Sequence, residues 1–279
     1  MSSKVTIDAV IKDSTVQLKH ISDTAKLDAQ ILLAFALGVS KTYLYTWPDR
    51  ILNDTELQTF DNLLTQRLSN MPIAYITGSK EFWGLEIDVN ENVLIPRPDT
   101  ETLVEAVLNI IPKDANWNLA DLGTGSGAIA IAIATERPNL QIYATDISDA
   151  ALLITQQNIK KHNITNITLN KGSWCHALSQ LKFQVILSNP PYIGKNEATQ
   201  NLQHEPQHAL FAEQDGYCCL REIIKTAGAY LTNNGYVFLE HGATQAKTIR
   251  DLFIKYNYQK VTTIKDIAKH DRISYASQK

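Results

Sequence analysis

The chain has 279 residues, a formal net charge of -3, and hydrophobic and charged fractions of 44% and 20%, an ordinary globular composition at a length that predicts two domains and a sizeable core. The acidic balance gives no basic footprint for duplex nucleic acid, and Cys175, Cys218 and Cys219 form no disulfide framework. With no apolar leader and no stretch of about 18 apolar residues, the expectation is a soluble, cytoplasmic protein without membrane or direct nucleic-acid partners, in which the Asn-Ile-Thr triplets at Asn163 and Asn166 are polar loop residues rather than glycosylation acceptors.

From Ile7 to about Ser69 apolar residues recur at helical spacing, as in "LDAQILLAFALG", where Gly38 marks a stop, and "DTELQTFDNLLTQRL", where Asp54 is the expected cap. A small helical domain over residues 1–75 follows. The pattern then changes to "EFWGLEIDVNENVLIPRPDTE", whose alternation on either side of Asn90-Glu91-Asn92 predicts a β-hairpin, a linker over residues 76–98. From residue 99 to 279 strands and helices alternate: "NLADLG", a helix from Ala128, "QIYATD", a helix from Ser148, "NITLNKG", "FQVILSN", a helix near Tyr217, and "GYVFLEHG" before another helix. Such alternation predicts an α/β fold with a doubly wound, mostly parallel sheet. The tail "VTTIKDIAKHDRISYAS" lacks an intervening helix and is expected to close the sheet as an antiparallel pair.

"LADLGTGSGAIAIAIA" is a strand that turns through Gly123, Thr124, Gly125, Ser126 and Gly127 into an Ala-rich helix. Glycines allow positive φ and close approach of a ligand, and the helix start offers free N–H groups. The spacing also fits the dinucleotide fingerprint, so the loop alone does not separate NAD from S-adenosylmethionine. Asp146, ending the next strand, can accept hydrogen bonds from both hydroxyls of a ribose; its other reading is part of a helix cap beside Ser148. Trp174 is either a cofactor contact or a core aromatic at a strand end.

The run Phe183 to Ser188 reads as a buried parallel strand and must end at Asn189, because Pro190 and Pro191 cannot donate to a ladder. An Asn held rigidly at the carboxyl end of a central strand stands where ligands collect in open α/β sheets. Transfer of methyl to a planar nitrogen gives this corner a purpose. The Asn189 side-chain carbonyl can accept one N–H of such a nitrogen and the Pro190 backbone carbonyl the other, while Tyr192 stacks on the flat acceptor. Asn189, Pro190 and Tyr192 are therefore the candidate catalytic groups. His204-Glu205-Pro206-Gln207-His208 satisfies a zinc-protease pattern, but Pro206 interrupts the helix that pattern requires, and no metal is expected.

Together "DLGTGSGAIAIA", "ATDIS", "LSNPPYI", "EFWGLEIDVNENVLIPRPDTETLVE", "EPQHALFAEQDG", "FLEHG" and, in the helical domain, "DAQILLAFALG" make the chain resemble the bacterial peptide chain release factor N5-glutamine methyltransferases over nearly its whole length. The resemblance implies a class I, seven-stranded Rossmann-like methyltransferase domain after a helical domain that recognises substrate. It implies methyl transfer from S-adenosyl-L-methionine to the side-chain amide nitrogen of the glutamine in the Gly-Gly-Gln motif of release factors; apart from the resemblance, the protein is expected to be a monomer. It carries cofactor contacts to Gly123–Gly127, Asp146, Trp174 and Asn189, and glutamine contacts to Asn189, Pro190, Pro191 and Tyr192. Ser173 departs from it, standing where an acidic residue is often found before the aromatic, and Arg97 is given no catalytic role because it equally suits a salt bridge. Rival readings are an adenine-N6 or other nucleic-acid base methyltransferase, which would flip its base into the same pocket, a ribosomal protein glutamine methyltransferase, and a non-catalytic nucleotide-binding module.

Overall fold

A computed structural model describes residues 5–178, 180–194 and 202–279; residues 1–4 of the expected helical domain lie outside them. The chain divides into two compact units, Met1–Ser79 and Lys80–Lys279. In the first, helices Ile7–Leu18, Ala25–Leu37 and Asp54–Leu68 are joined by the shorter Lys41–Thr46 and Ile73–Thr77. Their apolar stripes meet in a core around Ile7, Leu18, Leu32, Leu33 and Phe60, and Gly38 ends its helix in the left-handed conformation, as expected. The cap before Asp54 is a correction. Asn53, one residue earlier, accepts from the Glu56 N–H while the Glu56 side chain accepts from the Asn53 N–H, a reciprocal capping box.

Strands β1 (Ser79–Phe82) and β2 (Leu85–Asp88) form a hairpin that turns at Trp83 and Gly84, both at positive φ. The turn was expected at Asn90-Glu91-Asn92; the chain does bend there, but no strand follows. Pro96 and Pro98 lack the N–H groups a ladder needs, so the segment runs on as an irregular wall into the helix Glu101–Leu108.

The large sheet consists of β3 (Asn118–Leu122), β4 (Gln141–Asp146), β5 (Ile167–Lys171), β6 (Phe183–Ser188), β9 (Leu231–Glu240), β10 (Gln259–Lys265) and β11 (Asp271–Ser277). A minor parallel pair, β7 (Ile193–Gly194) and β8 (Phe211–Ala212), stands apart from it. The spatial order is β10-β11-β9-β6-β3-β4-β5, parallel except for the antiparallel pairs that β11 makes with its two neighbours. The expected doubly wound, mostly parallel seven-stranded sheet is thus present. Helix Ala128–Glu136 is apolar all round and buried from Ala128 to Ala134, as a helix enclosed on every side must be. Registers Leu119↔Val185 and Leu122↔Ser188 align the carboxyl ends of β3 and β6, and the Ser188 hydroxyl fastens them by donating to the Leu122 carbonyl at 2.6 Å. The loops leaving these strands are therefore neighbours, which positions the site.

Candidate active site

Gly123, Gly125 and Gly127 have φ of 73°, 58° and 82°, backbone that side-chain-bearing residues rarely adopt. The turn is anchored by Gly123 and Thr124 N–H groups on the Thr145 carbonyl, each at 2.9 Å. Thr155 donates to the Gly125 carbonyl at 2.8 Å. At the end of β4, Asp146 accepts the Gly125 N–H through one oxygen and the Ser148 N–H through the other, both at 2.9 Å. Ser148 itself caps the following helix, so Asp146 is freed from that duty and ties the glycine loop to the strand end. Trp174, at φ 45°, opens a short 3₁₀ turn after β5.

One cleft at the carboxyl ends of β3 to β6 is lined by Gly123, Thr124, Gly125, Ser126, Asp146, Trp174, Asn189 and Pro191. Gly127, Pro190 and Tyr192 are not among its lining residues. Gly127 instead packs against Thr155, to which an added Cβ would approach within 2.7 Å. Tyr192 packs against the apolar core beneath the sheet, and its hydroxyl donates to the Glu240 carboxylate at 3.1 Å; burial pushes its pKa up, leaving it a neutral donor. The ring expected to stack on the acceptor is thus turned to Glu240 in this conformation. Asn189 keeps a half-buried side chain whose Nδ2 donates to the Thr100 hydroxyl at 3.2 Å.

The opposite wall, from Asn92 to Thr100, is what local pattern reading missed. Arg97 pairs with Glu205 at 2.6 Å, and the other Glu205 oxygen accepts the Ile95 N–H. This places Glu205 of the His-Glu-Pro-Gln-His run in a structural clamp. Pro206 precedes the short helix Gln207–Leu210, so His204 and His208 do not share a helix, and the described residues contain no group of side chains that could hold a metal. Asp121, beneath the loop, is also unforeseen: burial raises its pKa to about 7, while Thr124 donates to one oxygen at 2.7 Å and the other lacks a partner among the described residues.

The fold and its cleft suit a methyltransferase, and the family match and the relatives show that class. Residues 9–78 match the family model "PrmC N-terminal domain" and residues 99–217 match "Methyltransferase small domain". A release factor glutamine methyltransferase of Coxiella burnetii is 44% identical, covering 98% of this chain and 99% of its own. Another from Aliivibrio fischeri is 42% identical, covering 97% and 96%. The chain belongs to the release factor glutamine methyltransferase family. Among solved structures, a methyltransferase of Pyrococcus furiosus (TM-score 0.55, 21% identity, 78% of this chain and 98% of that one) and a 16S rRNA methyltransferase of Thermus thermophilus in complex with AdoMet and guanosine (TM-score 0.54, 18% identity, 72% and 50%) share the fold.

Proposed function

We propose that the chain methylates the side-chain amide nitrogen of the glutamine in the Gly-Gly-Gln motif of peptide chain release factors, acting as a monomer on a protein, with S-adenosyl-L-methionine as donor. The observation that carries this reading is Asn189: its carboxamide lines the same cleft as the glycine loop and Asp146, with its N–H turned toward Thr100.

The residues present fit the cofactor. At Gly125 an added Cβ would meet no protein atom within 4 Å, so the loop leaves open space where a ligand can approach the backbone. Asp146 would take the ribose hydroxyls, Trp174 and Ile147 would flank the adenine, and the buried carboxyl of Asp121 stands under the loop. The cofactor supplies an electrophilic methyl on a sulfonium. An amide nitrogen is a weak nucleophile because its lone pair is delocalised, so orientation must replace basicity. Asn189 Oδ1 would accept one glutamine N–H and the Pro190 carbonyl the other, aiming the nitrogen's π-face; the proton lost from the methylated nitrogen passes to water. Arg97, held by Glu205, shapes the mouth.

Incubating the protein with labelled cofactor and purified release factors, ribosomal protein or DNA, followed by mass spectrometry, tests the reading. A methyl on the Gly-Gly-Gln glutamine is expected. Label on another residue, or on DNA, refutes it.

A further inference from the structure

Asn158 stands on the buried face of helix Asp149–Lys161, 0% exposed, and plays no part in the steps above. Its side-chain N–H groups donate to the Ser126 carbonyl and to the Asp88 carbonyl, each at 2.9 Å, and its Oδ1 accepts the Asp88 N–H at 2.7 Å. A carboxamide has two N–H protons to give, and both are committed. Turning the amide by half a rotation would set Oδ1 against two carbonyl oxygens, so the partners fix its orientation.

These partners lie 32 and 70 positions away along the chain and belong to opposite sides of the cleft. Ser126 is part of the glycine loop. Asp88 ends β2, shortly before Asn92, where the opposite wall begins, and Phe82 at the end of β1 lines the same cleft. The helix that carries Asn158 is tied to both sides at other points. Thr155 donates to the Gly125 carbonyl at 2.8 Å. At the helix end, Lys161 pairs with Glu86 and Asp88 at 2.7 and 2.5 Å. Thr155 holds the loop and not the hairpin, and the Lys161 pairs are exposed enough for water to weaken them. Asn158 joins loop and hairpin through a single group, buried where water does not compete.

We propose that Asn158 is a positioning residue for methyl transfer: by holding Ser126 and Asp88 on one carboxamide, it sets the gap between the cofactor loop and the wall beside which the acceptor lies. That the cleft takes S-adenosyl-L-methionine on the loop and a glutamine next to it is the reading given under the proposed function, and the inference rests on it. Transfer of methyl to a weak nucleophile depends on the distance and angle of approach, so a slack gap should be felt in turnover. Cofactor affinity should change less, because the loop keeps its bonds to Thr145, Asp146 and Thr155.

The test measures single-turnover methylation of a release factor by Asn158→Ala and Asn158→Asp, with cofactor affinity by calorimetry and the unfolding temperature. Asn158→Asp keeps the size of the side chain and an acceptor for the Asp88 N–H, but as a carboxylate it donates to neither carbonyl. In both folded variants the rate at saturating substrate should fall about ten- to thirtyfold, while cofactor affinity changes by no more than about threefold. A folded Asn158→Ala variant with the wild-type rate and only a lower unfolding temperature has lost packing alone and overturns the inference. Amide hydrogen exchange of the wild-type protein, followed by NMR, needs neither a variant nor an acceptor. Saturating S-adenosyl-L-methionine should slow exchange at Asp88, on the far side of the cleft from the loop, by about threefold or more. In Asn158→Ala that slowing should be lost while Thr124 and Gly125 keep theirs. An Asp88 amide indifferent to the cofactor in the wild type overturns the inference. If that amide responds but the wild type leaves release factors unmethylated, the acceptor reading falls and the role of Asn158 stands.

Discussion

Asp146 does two jobs with one carboxylate. Each oxygen already holds a backbone N–H, from Gly125 and Ser148, and each has a lone pair left for a ribose hydroxyl. Asp146→Ala should weaken cofactor binding by about 1 to 3 kcal/mol in calorimetry, through the loss of charge-assisted bonds and of the loop's anchor. Unchanged affinity in a folded variant would remove Asp146 from the site. For Asn189 the loss should fall on turnover. Asn189→Ala removes the oriented carbonyl while Pro190 and Pro191 still end the strand, so methyl transfer should slow about a hundredfold, about 2.7 kcal/mol, at nearly unchanged unfolding temperature. An Ala variant as fast as the wild type would reduce this corner to a turn.

At the scale of elements, the glycine loop separates two costs that look alike in sequence. Gly125 and Gly127 both have positive φ, but a Cβ at Gly125 meets open space, whereas one at Gly127 lies 2.7 Å from the Thr155 methyl. Gly127→Ala should therefore destabilise the fold by about 1 to 3 kcal/mol in denaturant titration. Gly125→Ala should unfold with a smaller penalty, about 1 kcal/mol, and lose cofactor affinity instead. If both variants lose stability equally, packing behind the loop is not what Gly127 provides. The loop, the buried strands and the antiparallel end of the sheet were legible because each is written in a short contiguous pattern: the run "FQVILS" stopped by two prolines is one. The cap at Asn53 was legible too, had the Glu three positions on been used to choose between two adjacent polar residues. The hairpin was misplaced because Asn90-Glu91-Asn92 has commoner turn residues than Trp83-Gly84, the pair that adopts positive φ. No local pattern could link Tyr192 with Glu240, or Arg97 with Glu205, since those partners meet only when the chain is folded.

Across the whole molecule, the buried carboxyls set a pH dependence of stability. Asp121 and Glu240 have pKa values raised to about 7 by burial, from ordinary values of 3.8 and 4.5. Between roughly pH 4.5 and 7 the folded state thus holds protons that the unfolded chain has released, so unfolding releases protons and stability falls as pH rises. Each group costs on the order of 3 kcal/mol once both states are ionised. His241 works in the other direction, because burial lowers its pKa and stability is lost as pH falls below 6.5, where the unfolded imidazole takes a proton. Stability should peak on the acid side of neutrality and decline toward pH 8. Glu240→Gln tests the carboxyl contribution, since an amide resembles the protonated acid in shape and cannot ionise. Denaturant titration should find the variant similar to wild type near pH 4.5 and more stable at pH 8, by up to the same order as the ionisation cost. A variant equally stable or weaker at both pH values would show that the Glu240 charge is already offset by Arg272, Tyr192 and Thr100.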